Sequence, residues 1–259
     1  MTFELKTIEL SRGKLSHHIG GTGTPVVYLH AAGGVMLTEP LKALTGSHTV
    51  YAPICPGFDG TEGNENLKTV QDWVAMVAEF AEKLVGPRFD VIGSSFGSWT
   101  ALWLAAEHPK MVDHLILGVP AGFRFGGKGG LPADPEERFK ALYAHPQKIK
   151  SPPKSPEVMA NNGKTYERLA NNVQVDEALS ARLPSIEAVT LILLGTEDTV
   201  VPAEAGAHLK RNIPTSQRAF IFDAAHSIEV DQPERTLRLW TDFLKRGPGY
   251  VLNQGPEAA

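Results

Sequence analysis

Only one cysteine, Cys55, occurs among the 259 residues of the sequence, which excludes an internal disulfide and any metal site built from several cysteines. A basic block is also missing, since 25 lysines and arginines stand against 29 acidic residues, for a net charge of −4. Nucleic acids and anionic membranes are therefore not expected as partners. Long apolar runs are missing too. The stretch Ala188–Leu194 is far shorter than the ~18 residues that a membrane span needs.

The two ends of the chain give little sign of targeting. Charges at Glu4, Lys6 and Glu9 leave no apolar core for a secretion signal, and we expect a cytoplasmic protein. The tail Gly247–Ala259 is expected to be frayed. Apolar residues make up 42% of the sequence, too many for a disordered chain. A chain of this length can bury one large core, and we expect a monomer or a homodimer.

Short apolar runs alternate with segments of helical periodicity along most of the chain. The run Val26–Leu29 is typical of a buried parallel strand, whereas residues 69–85 place apolar side chains at helical spacing. This alternation predicts an α/β fold with a mostly parallel, twisted sheet and helices on both faces. Strands are expected at residues 3–10, 14–19, 26–29, 49–52, 89–92, 112–119, 189–194 and 218–222, the first two as an antiparallel edge. Helices are expected at residues 69–85, 95–107, 202–211 and 233–245.

Residues 121–185, which we name the cap segment, interrupt this alternation. They contain the glycine-rich stretch Gly126–Gly130 and several prolines, a composition that disfavours the core of a sheet. Two helical pieces are expected inside the segment, near residues 134–144 and 156–172. We interpret the cap segment as a helical insertion that covers one end of the sheet. The expected domains are therefore a core domain of residues 1–120 and 186–259 and a cap domain of residues 121–185.

The most specific motif is a G-x-S-x-G sequence at Gly93–Gly97, directly after a predicted strand and before a predicted helix. A sharp turn between the two elements forces its central residue, Ser95, into a strained backbone conformation. Close approach of the strand and the helix leaves no room for side chains at Gly93 and Gly97. The turn exposes the Ser95 hydroxyl above the sheet, beside the free N–H groups at the start of the helix.

The strand, turn and helix around Ser95 resemble the α/β-hydrolase family, in its branch of carboxylesterases and meta-cleavage hydrolases. The resemblance implies the fold of that family, with an acid and then a histidine after the serine, each at the end of a strand. Asp198, in a G-x-x-D-x-x-x-P segment, and His226, which follows a small residue, match those positions. Glu197 and Asp223 are rival carboxylates for the same role.

Together, these three residue types can carry out nucleophilic catalysis. A serine hydroxyl is a weak nucleophile, so a neutral imidazole, here His226, must take the proton of Ser95 during attack. A carboxylate, here Asp198, must hold the imidazole in the right tautomer and stabilise its cation. The other histidines show no convincing zinc spacing, and we expect neither a metal nor another cofactor.

The segment from His30 to Gly34 follows the third predicted strand and resembles the H-G-x-G segment of the family. By position, the resemblance implies two donors to an oxyanion, the backbone N–H groups of Ala32 and Phe96. Ala31 replaces the usual glycine, and its methyl group narrows the backbone angles and would crowd the acyl pocket. We expect His30 and Ala31 to border the substrate, and His30 to order the loop rather than to transfer protons.

A second loop, Ala52–Thr61, resembles the D-x-P-G-x-G-x-S segment of the family at the end of the next strand. Here Ile54 replaces the acid and Asp59 replaces a glycine. The loop is therefore not expected to keep all of its usual internal hydrogen bonds. Cys55 lies in this loop and is expected to be a small buried residue rather than a nucleophile.

The expected partner is a small-molecule substrate held beneath the cap segment. Phe58, Trp99 and Phe123 are candidates for the lining of an apolar pocket, and ordinary core packing is the other interpretation for each. Arg124 is a candidate for holding a substrate carboxylate, and a solvated surface position is its other interpretation.

Several reactions use this set of residues. Hydrolysis of a small carboxylic ester through an acyl-enzyme is our leading hypothesis. Within the resemblance, the alternative is hydrolytic C–C cleavage of meta-cleavage dienoic diketones, although those hydrolases commonly carry tryptophan after the histidine, where this chain has Ser227. A ligand-binding protein of the same fold with little turnover is a further alternative, which an intact set of Ser95, Asp198 and His226 disfavours.

Overall fold

The computed structural model describes residues 2–252 and arranges eight strands in one sheet. The strands are β1 Glu4–Leu10, β2 Gly13–Gly20, β3 Thr24–Leu29, β4 His48–Pro53, β5 Phe89–Ser94, β6 Val112–Gly118, β7 Val189–Gly195 and β8 Ser216–Ile221. Their order across the sheet is β1-β2-β4-β3-β5-β6-β7-β8. The predicted strands and their α/β arrangement are confirmed, with small differences at the ends.

The pairing directions also follow the prediction. β1 pairs with β2 and β2 with β4 in antiparallel fashion, and every later pair from β3 and β4 through β7 and β8 is parallel. β4 lies on one side of β3 in the sheet, and the chain then crosses back so that β5 lies on the other side of β3. This reversal opens a crevice at the carboxyl ends of β3 and β5, which is where ligands bind in open α/β sheets.

Helices cover both faces of the sheet. All seven residues of β7 are buried, which requires packing on both sides of that strand. The helices are α1 Glu39–Leu44, α2 Val70–Phe80, α3 Phe96–Glu107, α4 Pro135–Leu142, α5 Pro156–Ala170, α6 Glu177–Arg182, α7 Ala203–Asn212, α8 Ile228–Asp231, α9 Pro233–Arg246 and α10 Pro248–Leu252. α3, which follows the elbow at Ser95, packs on β3, β5 and β6, and α7 packs on β7 and β8.

Local sequence signals set the bounds of the predicted helices. Thr69 and Asp72 form a capping box that starts α2, and the helix continues after Phe80 as a wider π turn to Val85. In the cap segment, α5 ends two residues earlier than expected because Asn171 adopts a left-handed conformation with φ of 45°.

Four helices were not expected from the sequence. α1, α6 and α8 have six residues or fewer, too short to show a clear periodicity. The prediction of a frayed tail is wrong for Pro248–Leu252, which form α10. The Tyr250 ring packs edge-on against Phe243, with ring centroids 5.3 Å apart. The rest of that tail lies outside the described residues.

Between β6 and β7, the chain forms α4, α5 and α6 with short 3-10 turns and loops. This region contains the cap segment, and its helix α6 contacts α3, whose N-cap residue is Ser95. Across residues 2–252, no helix has the length and apolar character that crossing a lipid bilayer requires.

Candidate active site

Ser95 lies on a tight turn between β5 and α3. Its backbone angles are φ 54° and ψ −109°, a strained conformation for a residue with a side chain. The surrounding backbone holds it there: the Ser95 N–H donates to the Gly118 carbonyl at 2.8 Å, and the Ser95 carbonyl accepts from Trp99 and Ala121, each at 3.2 Å. The predicted elbow is therefore present, with its hydroxyl at the mouth of the crevice.

The two glycines of the motif allow α3 to approach the sheet closely. A Cβ atom at Gly93 would lie 2.6 Å from the backbone of Gly97 and Ser98, which no real side chain tolerates. A Cβ atom at Gly97 would overlap the carbonyl group of Leu29 at the end of β3. Any larger residue at either position would push the helix, and the Ser95 turn with it, away from the strands.

The three predicted side chains meet in one hydrogen-bonded chain. The Ser95 hydroxyl donates to His226 Nε2 across 2.9 Å, and His226 Nδ1–H donates to Asp198 Oδ2 across 3.1 Å. The His226 and Asp198 side chains are only 7% and 1% exposed. Because water is largely excluded, the interaction between the imidazole and the carboxylate is stronger than it would be at the surface.

Asp198 is positioned by the loop that carries it. Its second oxygen, Oδ1, accepts hydrogen bonds from the Val200 N–H at 2.8 Å and the Val201 N–H at 3.0 Å. One oxygen thus binds the loop and leaves the other for His226. Of the rival carboxylates, Glu197 is exposed, and Asp223 accepts a hydrogen bond from the Gln232 side chain instead.

The His226 loop is held on both sides of the histidine. The Ala225 N–H donates to Asp231 Oδ2 at 2.9 Å, and the Ser227 N–H donates to the Leu142 carbonyl at 2.8 Å. Asp231 is fully buried and also accepts from the backbone of Ala144, at 3.1 Å. The histidine is therefore supported partly by residues of the cap segment, which the sequence did not indicate.

The two predicted oxyanion donors occupy equivalent positions after the neighbouring strands β3 and β5. Leu29 of β3 pairs with Gly93 of β5, and Ala32 and Phe96 each lie three residues beyond that pair. Within residues 2–252, neither the Ala32 N–H nor the Phe96 N–H donates to another protein group. Both amides are therefore available to a ligand in the crevice.

His30 fixes the peptide unit that carries the Ala32 N–H. Its Nδ1–H donates to the Ala31 carbonyl at 2.8 Å, and its Nε2 accepts from the Cys55 N–H at 3.1 Å. Burial lowers the pKa of His30 to about 4, so the ring is neutral at physiological pH. With both nitrogens occupied, His30 orders the loop and has no free polar atom for a substrate.

The predicted apolar contacts are mostly buried. Phe58 is fully buried and stacks on Phe96, with ring centroids 6.1 Å apart. Trp99 donates its indole N–H to Asp176 at 2.8 Å, and Phe123 packs against the His208 ring at 5.4 Å. Phe58 thus lies beside the elbow, whereas Trp99 is bonded to the N-cap residue of α6 and Phe123 packs on α7. A direct contact with substrate stays a prediction for each.

Arg124 and Ala31 are more accessible than the aromatic residues. Both are half-buried. Burial raises the pKa of Tyr166, and the nearby Arg124 guanidinium opposes that rise. The Tyr166 ring in turn meets Phe96 edge-on at 5.5 Å, whereas the Arg124 guanidinium lies over Gly130 of the cap segment.

A buried acid beside the elbow has no counterpart among the predicted site residues. Glu229 accepts hydrogen bonds from the Tyr28 hydroxyl at 3.0 Å and from the Thr38 hydroxyl at 2.7 Å, and the Ser94 side chain lies close enough to favour its charged form. Among the described residues, no cation pairs with it, and burial raises its pKa to about 7. Only its position three residues after His226 could have drawn attention to it.

This acid should make the stability of the protein depend on pH. Because the pKa of Glu229 rises from 4.5 to about 7, the folded protein holds a proton that the unfolded chain releases between those values. Stability is therefore expected to fall as the pH rises through this window, by as much as ~3 kcal/mol. Melting temperatures at pH 5 and 8 should fall less steeply for Glu229→Gln than for wild type, with the exposed Glu187→Gln as control. Equal slopes in wild type and Glu229→Gln would contradict this assignment.

The family is shown by comparison with known proteins. A model of the alpha/beta hydrolase family matches residues 26–239, and the chain belongs to this family. It is similar to a 2-hydroxy-6-oxo-2,4-heptadienoate hydrolase of Pseudomonas putida, with 28% identity over 88% of this chain and 91% of the relative. It is also 24% identical to the human monoacylglycerol lipase ABHD6, over 73% of this chain and 65% of that protein.

A solved structure supports the same fold. The 2-hydroxy-6-oxo-6-phenylhexa-2,4-dienoate hydrolase of Rhodococcus sp. strain RHA1 superposes with a TM-score of 0.77 and 18% identity, covering 94% of this chain and all of that one. The chain is thus a hydrolase of the α/β fold, as the resemblance implied.

Proposed function

We propose that this hydrolase uses Ser95 as a nucleophile, His226 as a general acid and base, and Asp198 as the residue that orients His226. The observation that carries the proposal is the continuous hydrogen-bonded chain through these three side chains, with distances of 2.9 and 3.1 Å. Its direction suits proton transfer, because His226 Nε2 accepts from the serine while Nδ1–H is held by the carboxylate.

The leading substrate class is a small carboxylic ester. Ser95 Oγ attacks the carbonyl carbon while its proton passes to His226 Nε2, and the carbonyl oxygen becomes an oxyanion. The free N–H groups of Ala32 and Phe96 stabilise that charge, each by roughly 3–4 kcal/mol. His226 then gives the proton to the departing alcohol, which leaves an acyl group on Ser95.

Water completes the reaction. His226 removes a proton from a water molecule, whose oxygen attacks the acyl carbon of the ester on Ser95. The second oxyanion collapses, the carboxylic acid leaves, and the proton on His226 returns to Ser95 Oγ. The balance is one ester and one water consumed, and one acid and one alcohol released.

A panel of short- and medium-chain p-nitrophenyl esters tests the leading class. We expect saturable release of p-nitrophenol that requires Ser95, with a preference for short acyl groups because Ala31 narrows the acyl side. A 2-hydroxy-6-oxo-dienoate assayed beside the panel separates the two reactions. Turnover of the dienoate at a much higher kcat/KM than any ester would replace the ester proposal by the second candidate.

The second candidate is hydrolytic C–C cleavage of such a dienoate. Two observations favour it: the similarity to a Pseudomonas putida hydrolase named for this type of substrate, and Arg124. Among the described residues, no carboxylate is paired with the half-buried Arg124 guanidinium, which lies over Gly130 of the cap segment and whose charge reaches Tyr166. A guanidinium without a carboxylate partner suits a substrate that carries a carboxylate.

Replacing Arg124 by methionine tests this second candidate. A charge-assisted hydrogen bond contributes about 1.5–3 kcal/mol, so KM for a dienoate should rise about 10- to 100-fold, and KM for a neutral ester far less. Steady-state kinetics on both substrates measure the difference. Arg138→Met is the matched control, since Arg138 lies in the cap segment and, in the part of the chain that the structure describes, its side chain bonds only to the carbonyls of Pro132 and Ala133. The same KM change in both variants would show that Arg124 does not bind the substrate carboxylate.

A further inference from the structure

The cap segment contacts the loop that carries the Ala32 N–H. We name residues 30–35 the oxyanion loop. Lys154 Nζ and Asn162 Nδ2, both from the cap segment, donate to the carbonyl of Gly33, each at 2.8 Å. One backbone oxygen therefore accepts two side-chain donors from a distant part of the chain. Asn162 is fully buried, so its hydrogen bonds are not shared with water.

Asp59 joins the two donors to the same loop. Its Oδ1 accepts from Lys154 Nζ at 2.5 Å and from Asn162 Nδ2 at 3.2 Å, while its Oδ2 accepts from the Val35 N–H at 2.7 Å. The Asp59 N–H in turn donates to Asn162 Oδ1 at 2.9 Å. Asp59 is the residue that replaces a glycine of the family pattern, and its side chain supplies hydrogen bonds that glycine could not make.

Two peptide units connect this cluster to the oxyanion hole. In a trans peptide the C=O and N–H groups point in opposite directions. The unit whose carbonyl belongs to Gly33 has the N–H of Gly34, which donates to the Ala31 carbonyl at 2.9 Å. The unit whose carbonyl belongs to Ala31 has the N–H of Ala32. Lys154 and Asn162 therefore act on the direction of the Ala32 N–H through two peptide units in series, in addition to the direct hydrogen bond from His30 to the Ala31 carbonyl.

The series also polarises the amide. Hydrogen bonds in a chain strengthen one another, and a lysine at one end draws electron density along it. The Lys154 and Asp59 side chains are 23% and 15% exposed, so solvent screens this effect only in part. The Ala32 N–H lies at the other end of this series, and the Asp59 carboxylate offsets part of the lysine charge.

We propose that Asp59, Lys154 and Asn162 are positioning residues for the oxyanion hole, so that docking of the cap segment completes the Ala32 donor. The proposal rests on the proposed function in one respect, namely that Ala32 N–H stabilises an oxyanion. None of the three side chains is assigned a contact with the substrate. Their effect is transmitted through the Gly33 and Ala31 carbonyls alone.

A second lysine of the cap segment provides a matched control. Lys150 pairs with Glu39 of α1 at 3.4 Å, so it also ties the cap segment to the core through an ion pair. It bonds to no residue of the oxyanion loop, and its side chain is 67% exposed. Lys150→Met and Lys154→Met thus remove the same charge from the same segment, and only the second affects the loop.

Kinetics on p-nitrophenyl acetate test the proposal. Lys154→Met should lower kcat about 10- to 100-fold, as a slight misplacement of an oxyanion donor does, while KM changes by less than about threefold. Asn162→Ala should show the same pattern, whereas Lys150→Met should stay within about twofold of wild type. If Lys154→Met and Lys150→Met behave alike, or if the loss falls on KM, the proposal is overturned.

Hydrogen–deuterium exchange of the wild-type and variant proteins measures how firmly the backbone amides of the oxyanion loop are held, without any substrate. Peptides that cover residues 30–35 should exchange faster in Lys154→Met and Asn162→Ala than in the wild-type protein. In Lys150→Met their exchange should be unchanged. Unchanged exchange in Lys154→Met overturns the positioning role. If the wild-type protein shows no Ser95-dependent turnover, the proposed function fails, and this measurement still decides whether the cap segment holds the loop.

Discussion

Replacing Ser95 with alanine should reduce ester turnover by about 10⁶-fold while the protein folds normally. Among residues 2–252, the Ser95 hydroxyl is the one group at the elbow that is hydrogen-bonded to His226, so the proposed mechanism gives no other residue from which an acyl-enzyme could form. Residual activity would come from the oxyanion donors and from binding alone. Single-turnover and steady-state rates on p-nitrophenyl acetate measure the loss, and an unchanged melting temperature shows that the fold is intact.

Ser94→Ala is the matched control for this prediction. Ser94 has the same hydroxyl one position earlier, but it lies beside Glu229, and His226 Nε2 is hydrogen-bonded to Ser95 instead. We expect a loss of less than about tenfold. A large loss in Ser94→Ala together with substantial activity in Ser95→Ala would show that the wrong serine has been assigned.

Replacing Asp198 with asparagine should lower kcat by about 10⁴-fold. The reason lies in the loop. The amides of Val200 and Val201 require an acceptor, so the carbonyl oxygen of the new side chain must take the place of Oδ1. Its NH₂ group then faces His226 Nδ1, which has to accept. The proton moves to Nε2, and the imidazole can no longer take a proton from Ser95.

Rates at saturating substrate for Asp198→Asn and Glu197→Gln measure this effect. Glu197 is the neighbouring carboxylate, is exposed, and should be replaceable with little change. Nearly full activity in Asp198→Asn would mean that the tautomer of His226 is set by another group, and a large loss in Glu197→Gln would transfer the role to that residue.

The sheet and the three central side chains were predictable because steric rules tie residue type to position. Gly93 and Gly97 are required where α3 crosses the sheet, and an elbow between them fixes Ser95. Asp198 and His226 follow buried strands, whose apolar runs are clear in the sequence. The carboxyl ends of parallel strands meet at one edge of the sheet, which is why these distant residues come together.

Other parts of the site depend on contacts between segments far apart in the chain, for which the sequence carries no local signal. Glu229 is buried where the Tyr28 and Thr38 hydroxyls donate to it, and nothing in the sequence links these three residues to one another. Asp59 departs from the family pattern, which the sequence shows. Its role as an acceptor for Lys154 depends on the fold, which brings these two distant residues together.

Substrate contacts were the least predictable. Phe58, Trp99 and Phe123 are aromatic residues near the site in sequence, and each is almost fully buried among neighbouring side chains. The sequence does not show whether an aromatic side chain is buried among its neighbours or lines a pocket. Only the packing of the cap segment distinguishes the two cases.

Covalent labelling tests the central claim most directly. The wild-type protein is incubated with a fluorophosphonate, and the mass of the intact chain and of its proteolytic peptides locates the adduct. The account predicts one adduct, on Ser95, and no labelling of the Ser95→Ala protein under the same conditions. An adduct on another residue, or labelling that persists in Ser95→Ala, would contradict it.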